Sequence, residues 1–260
     1  MSSKNKNNKV GPFKHYTTLR AFLSMVDTSL ENVRKGNMEV HLSRIDKAND
    51  MEEMSFLMDK IKEISNNKKK LEAKIKGYFQ KNGFPTYMSF SYPNESTISN
   101  EIPMWNMYSR HKGSPGVCLC FEFDHQFYDT HLIECKYINK DKIKKEAETF
   151  HPSMISENLI KCIITESVKT KSSKWKYEKE YRLIQFCKDF YHYAGAYEYV
   201  EYDKFLIPLK YLTSIIISPY ENAEKIIHEI EMIRENLQKT INDEHVQFDI
   251  TSSSLKIRKS

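Results

Sequence analysis

The stretch Trp175-Lys-Tyr-Glu-Lys-Glu-Tyr-Arg182, continued by Leu183-Ile-Gln-Phe186, decides how the rest of the chain is read. Its aromatic and β-branched content predicts a strand. Side chains two apart on a strand share a face, which groups Glu178, Glu180 and Arg182 with Ile184 and Phe186. That face is expected to point inward. Two carboxylates and a guanidinium are costly to bury unless they pair or hold a ligand, so the stretch is the first candidate for chemistry. Two structural alternatives stand beside it. Glu180 and Arg182 can form an ion pair that only orients the strand, or the strand can be an edge, or be shifted by one in register, so that these charges face water. In the functional alternative, a carboxylate in a low-dielectric cleft orients a substrate hydroxyl or stabilises developing positive charge.

The sequence on either side alternates between strand and helix signals. Pro12 to Thr17 predicts a first strand, and an apolar stripe of Leu19, Phe22, Leu23, Val26, Leu30 and Val33 predicts a helix from about Thr18, ended by Gly36. Met38 to Ser43 alternates as a strand. A long helix is expected as far as Phe79, capped by Asn49 or Asp50 and interrupted at Asn66-Asn67. Tyr87 to Tyr92 predicts a strand, Met104 to Tyr108 a short helix, and Val117 to Phe123 a strand paired with Ile133 to Ile138. A lysine-rich helical segment from Lys140 to about Lys171 is broken at His151-Pro152. Strands at Tyr197 to Tyr202 and Ile215 to Ile217, a helix from Asn222 to about Thr240 and a strand from Val246 to Ile250 complete the chain. No repeat and no Pro/Gly-rich linker is present. The expected fold class is α+β, a single domain over residues 11–254 with a mixed, mostly antiparallel sheet flanked by helices. Residues 1–10 are expected to be a flexible N-terminus and 255–260 a basic tail.

Bulk composition narrows the function classes. At 260 residues and 40% hydrophobic content the chain can build a real core. Its 40 Lys and Arg against 35 Asp and Glu give a net charge of +5 and a pI near 8.7. That is mild basicity, below what by itself indicates nucleic-acid binding. Lysines cluster at Lys68 to Lys70, Lys140 to Lys145 and Lys169 to Lys176, runs that are most often solvated faces. The five cysteines are odd in number and have no zinc spacing, so they read as reduced core residues. Only seven glycines leave no Gly-rich phosphate loop. The N-terminus lacks an apolar leader and no run of about 18 apolar residues occurs, so a soluble cytoplasmic protein with no membrane partner is expected.

Three further groups are candidates. His15 lies on a strand face between Phe13 and Thr17, a place more often held by a satisfied core or rim histidine than by a catalyst. Tyr16 points the other way. Asn49, Asp50 and Glu53 sit at a helix N-terminus, where N–H groups can bind a ligand or, more simply, be capped. Trp105 and Tyr108 share a helix face, giving either an aromatic platform for a ring or core packing, with Arg110, His111 and Lys112 alongside.

Taken in order, His15-Tyr16-Thr17, Asn49-Asp50-x-x-Glu53, Ser89-Phe-Ser91, Met104-Trp105-x-x-Tyr108, Lys112-Gly113, Gly116 to Phe121, Trp175 to Arg182 and Ile215 to Ser218 resemble the bacterial family known as domain of unknown function 2971. The resemblance runs from about His15 to Ser254. The chain departs from the family pattern at Met51, where proline is frequent, in a lysine-rich insertion after Glu53, and at Ser218, where glycine is common. The family is scattered through bacteria, often near mobile or defence genes, which implies a defence or toxin-type effector. Its order of early His, middle Ser strand and late Glu is similar to that of ADP-ribosyltransferases, whose split sheet grips NAD. The resemblance then implies NAD as cofactor, His15, Glu178 and Glu180 as catalytic residues, and Tyr16, Asn49, Asp50, Glu53, Ser89, Trp105, Tyr108 and Arg182 around a nucleotide ligand. Glu180 would bond a ribose hydroxyl as nicotinamide leaves, and a nucleic acid or protein would be the acceptor. Two alternatives are kept. One is a nuclease-like toxin using Glu178, Glu180, Asp50 and Glu53 with lysines on phosphates. The other is a non-catalytic ligand-sensing or interaction module with a partner protein from a defence operon.

Overall fold

The computed structural model describes residues 9–27, 30–47, 54–92, 98–108, 113–150, 155–188, 191–194, 199–241 and 246–255. In chain order, β1 (Lys9–Thr18) runs into α1 (Leu19–Asp27), then α2 (Leu30–Arg34) and β2 (Asn37–Arg44). Leu19, Phe22, Met25 and Val26 recur at helical spacing and form the buried face of α1. The one helix expected between Thr18 and Val33 is therefore two. Gly36, at φ +75°, makes the turn into β2. Next come α3 (Ser55–Ile64) and α4 (Lys68–Asn82), parted where the sequence predicts, with Ser65 extended and buried at the break. Gly83 ends α4 at φ +89°, its N–H donating to the Phe79 carbonyl at 2.8 Å.

β3 (Phe84–Ser91) and α5 (Ile98–Tyr108) precede β4 (Gly116–Asp124), α6 (His125–His131), β5 (Leu132–Glu134) and β6 (Lys136–Ile138). α7 (Lys140–Glu148) and α8 (Glu157–Lys169) follow, the latter capped by the Ser156 hydroxyl, which accepts from the Leu159 N–H at 3.2 Å. The expected helix break at His151-Pro152 lies outside the described residues. The remaining elements are β7 (Thr170–Ser172), β8 (Glu180–Cys187), β9 (Tyr191–Ala194), β10 (Tyr199–Pro208), β11 (Leu212–Ile217), α9 (Ala223–Ile241) and β12 (Asp249–Ser252). The fold class is α+β with mixed, mostly antiparallel strand pairing.

The chain divides into two compact units, each gathered from separate stretches: unit 1 from residues 1–40, 90–130 and 205–260, unit 2 from 41–89 and 131–204. In unit 1, β4 lies between β1 and β11, antiparallel to both, and β12 adds parallel to β11. The register Phe13↔Phe121 and Leu119↔Ile215 defines one face of this sheet. There Phe13, Phe90, Phe121, Phe123, Phe127 and Tyr211 form a buried aromatic cluster, with neighbouring centroids such as Phe123 and Phe127 4.6 Å apart. The opposite face carries Lys14, Tyr16, Cys118, Cys120 and Ser214.

Along the strand order β9-β10-β2-β3, unit 2 holds β9, residues 199–204 of β10, 41–44 of β2 and 84–89 of β3; β8 pairs with β3 and β5, and β6 and β7 form a small parallel pair. Leu57, Ile61, Leu71, Ile75, Phe79, Ile143, Ile160 and Ile163 from α3, α4, α7 and α8 make a mainly aliphatic core. The hairpin expected between Val117–Phe123 and Ile133–Ile138 is not formed. β4 is taken by β1 and β11, and Ile133–Ile138 splits at Cys135, whose N–H donates to the Glu180 carbonyl at 2.9 Å. All five cysteines are free. Cys118, Cys120 and Cys135 are buried as expected, whereas Cys162 is exposed and Cys187 half-buried.

Candidate functional site

The Trp175–Phe186 stretch is not one strand. Ser173–Glu178 winds as a 3-10 helix, Lys179 takes a left-handed conformation at φ 44°, and the strand begins only at Glu180. The turn is what lets two carboxylates from different elements meet. Glu178, Glu180 and Arg182 are buried as the alternation predicts, but Phe186 at the far end of the face is exposed.

The cluster is completed by residues from other elements of unit 2. Lys171, on β7, places its ammonium 2.7 Å from Glu178 Oε2 and 2.7 Å from Glu180 Oε2. Arg182 Nε donates to Glu180 Oε1 at 2.7 Å and its Nη2 to Oε2 at 3.1 Å. The Ser89 hydroxyl on β3 also donates to Glu180 Oε1, and Arg182 Nη1 donates to the Val168 carbonyl. The Arg182 guanidinium lies 5.0 Å from the Tyr87 ring centre, and the Glu180 N–H donates to the Tyr137 hydroxyl at 2.7 Å. Lys171, Glu178, Glu180 and Arg182 are exposed by 3, 2, 3 and 0%.

Two positive and two negative groups cancel, which is the condition for sinking this much charge. Burial pushes the Glu180 carboxyl up, but Arg182 and Lys171 together outweigh it and hold it down to about 2. Burial raises the Tyr137 hydroxyl. The arrangement therefore keeps Glu180 ionised and fully hydrogen-bonded. Lys171 is the member that strand reading missed, because it belongs to a lysine run read as a solvated face. The missing signal was charge balance: two inward carboxylates and one guanidinium leave a deficit of one cation, and the nearest lysines follow α8.

His15, Tyr16, Trp105 and Tyr108 belong to unit 1. His15 packs its half-buried ring near Phe90, with centroids 6.0 Å apart. Tyr16 meets Trp105 edge-on at 4.9 Å, and Trp105, only 1% exposed, serves as core. Tyr108 is half-buried at the end of α5. Beside them Lys14 and Glu101 pair at 2.7 Å. Burial raises the Tyr16 hydroxyl, and a hydrogen bond from Cys118 helps to draw the Cys120 thiol down to about 7. Asn49, Asp50 and Glu53, with Arg110, His111 and Lys112, lie outside the described residues. Among the described residues no group of three or more His, Cys, Asp or Glu side chains is placed to hold a metal ion. No described helix is long and apolar enough to cross a membrane.

Fold and cluster together define an α+β protein built in one unit around a buried, charge-balanced carboxylate network. Residues 104–183, from within α5 to the middle of β8, match the model of the family described as "Protein of unknown function (DUF2971)". No curated protein and no solved structure matches the chain.

Proposed function

We propose that the chain is a non-catalytic ligand-sensing or interaction module of a bacterial defence system, pinned internally by the Glu180 cluster. The observation that carries this reading is the saturation of Glu180. Oε1 accepts from Arg182 and Ser89, and Oε2 from Lys171 and Arg182, on a residue 3% exposed. A carboxylate that is to bond a ribose hydroxyl must displace one of these donors, either the Ser89 hydroxyl or a bond from one of the two buried cations. The defence setting rests on the family resemblance.

A second reading is favoured by one contact. Ser89 on β3 fixes the Glu180 carboxylate at the start of β8, the kind of positioning that an NAD-using ADP-ribosyltransferase-like enzyme needs for its glutamate. In the nuclease reading Glu178 and Glu180 would share a metal ion; here they share the ammonium of Lys171.

NAD and the Glu180→Gln variant separate these readings. For the module, saturating NAD leaves the melting temperature unchanged, no nicotinamide is released with or without cell extract as acceptor, and Glu180→Gln melts well below the wild type. Nicotinamide release by the wild type that Glu180→Gln abolishes at an unchanged melting temperature would overturn the module in favour of the transferase. Divalent-metal-dependent cleavage of RNA or DNA, lost in the same variant, would overturn it in favour of the nuclease.

A further inference from the structure

We infer that the groove between α4 and α8 docks single-stranded nucleic acid. A cavity of about 460 Å³ lies there, with Lys70, Lys74 and Lys81 along its α4 side and Glu157 and Ile160 on its α8 side. These three lysines are exposed and stand at positions i, i+4 and i+11 of one helix. At ~1.5 Å per residue they are spread over about 16 Å. A compact anion would need cations converging on one point, whereas a row suits the successive phosphates of an extended strand. Lys68, Lys69 and Lys76 add to the same helix, against Glu72 as its single acid.

The floor of the groove is apolar. Tyr78, half-buried with its ring 6.2 Å from that of Phe186 and backed by the buried Ile160, offers a surface to unstacked bases, which a duplex would keep inside its stack. Gly77 stands between the lysines, and a Cβ there would meet nothing within 4 Å, so packing does not require glycine at this place. Its bare backbone widens the groove. Glu157 pairs with Lys81 at 2.8 Å and is the lone carboxylate among the lining residues, occupying a position a phosphate would take. The groove uses no residue of the Glu180 cluster, so it is independent of whether that cluster is structural or catalytic.

Fluorescence anisotropy of labelled uridine and thymidine oligomers of about 12 nucleotides, titrated with the full chain, is the test. Saturable binding is expected, weakening about 20-fold between 50 and 200 mM salt if three phosphates are neutralised. Reversing all three lysines (K70E, K74E, K81E) should abolish it. Gly77→Leu, which fills the groove without changing charge, should weaken it, and Glu157→Gln, which removes the competing acid, should tighten it. Melting curves check that each variant is folded; if the triple variant is not, the other two decide. Failure of both oligomers to bind, or affinities unmoved by the variants, would overturn the inference. So would binding to phosphatidylserine vesicles without binding to either oligomer.

Discussion

Around Phe123 in unit 1 the interior is made of rings, and around Glu180 in unit 2 it is made of ions. The rings of Phe13, Phe90, Phe121 and Phe127 need only proximity and a tolerable tilt, so any one of them contributes through area and shape. The ions need complete partnership. Glu180 is stable in its place because Lys171, Arg182 and Ser89 answer both oxygens, and each of those cations depends on the carboxylate in turn. An aromatic core degrades by degrees, whereas a buried charge cluster is close to all or none.

Single truncations give the largest effects and the first way to break this contrast. Arg182→Met should cost roughly 3–5 kcal/mol by leaving the Glu178 and Glu180 charges underpaired, and Phe123→Ala a similar 3–5 kcal/mol by opening a cavity, both read from denaturant midpoints. The double variant in the cluster should depart from additivity. Glu180→Gln with Arg182→Met should cost at least about 1 kcal/mol less than the sum of its singles, since each removes the other's stranded partner. Simple additivity there would mean that the cluster is not a cooperative network.

Acid should act on unit 2 through Glu180. Because its carboxyl is held down to about 2 from an ordinary 4.5, the stability it contributes is complete above about pH 4.5 and lost as pH falls toward 2. The slope of unfolding free energy over that window should be shallower in Glu180→Gln than in the wild type, and unaltered in Phe123→Ala. Equal slopes in all three proteins would remove Glu180 from the acid response.

Glycines sharpen the comparison at smaller scale. A Cβ on Gly83 would sit 2.2 Å from the Cys187 carbonyl oxygen at positive φ, so Gly83→Ala in unit 2 should cost at least about 2 kcal/mol. Gly36 in unit 1 has positive φ but open space around it, and Gly36→Ala should cost about 1 kcal/mol. Gly77→Ala, mid-helix with room to spare, should stabilise by roughly 0.5–1 kcal/mol. Thermal midpoints of the three variants test the ranking.

Most helices and many strands were legible because their periodicity is local: the stripe of α1, the Asn66-Asn67 break and the run of β11 all read directly from spacing. The α+β class followed from their mixture. Pairing partners were not legible, since nothing in Val117–Phe123 distinguishes β1 and β11 from a sequence neighbour such as Ile133–Ile138. At the candidate site, alternation marked Glu178, Glu180 and Arg182 as buried. It assigned Glu178 to a strand, because the left-handed Lys179 carries no glycine to announce it. Lys171 escaped because a lysine run gives no sign of which member turns inward, and the Trp105/Tyr108 spacing left both a platform and core packing open, the second being what Trp105 adopts against Tyr16.

The interleaving of the two units sets an order on synthesis. Every residue of unit 2 precedes Phe205, while unit 1 waits for the stretch beyond it, which includes β11, the strand that flanks β4. A growing chain thus has the charged cluster's parts in hand while β4 still shows an unpaired edge, and the aromatic half is the one left to close last. Stop codons placed just after Lys204 would leave a polypeptide with every residue of unit 2, β10 cut short and β4 without β11, prone to edge-to-edge association.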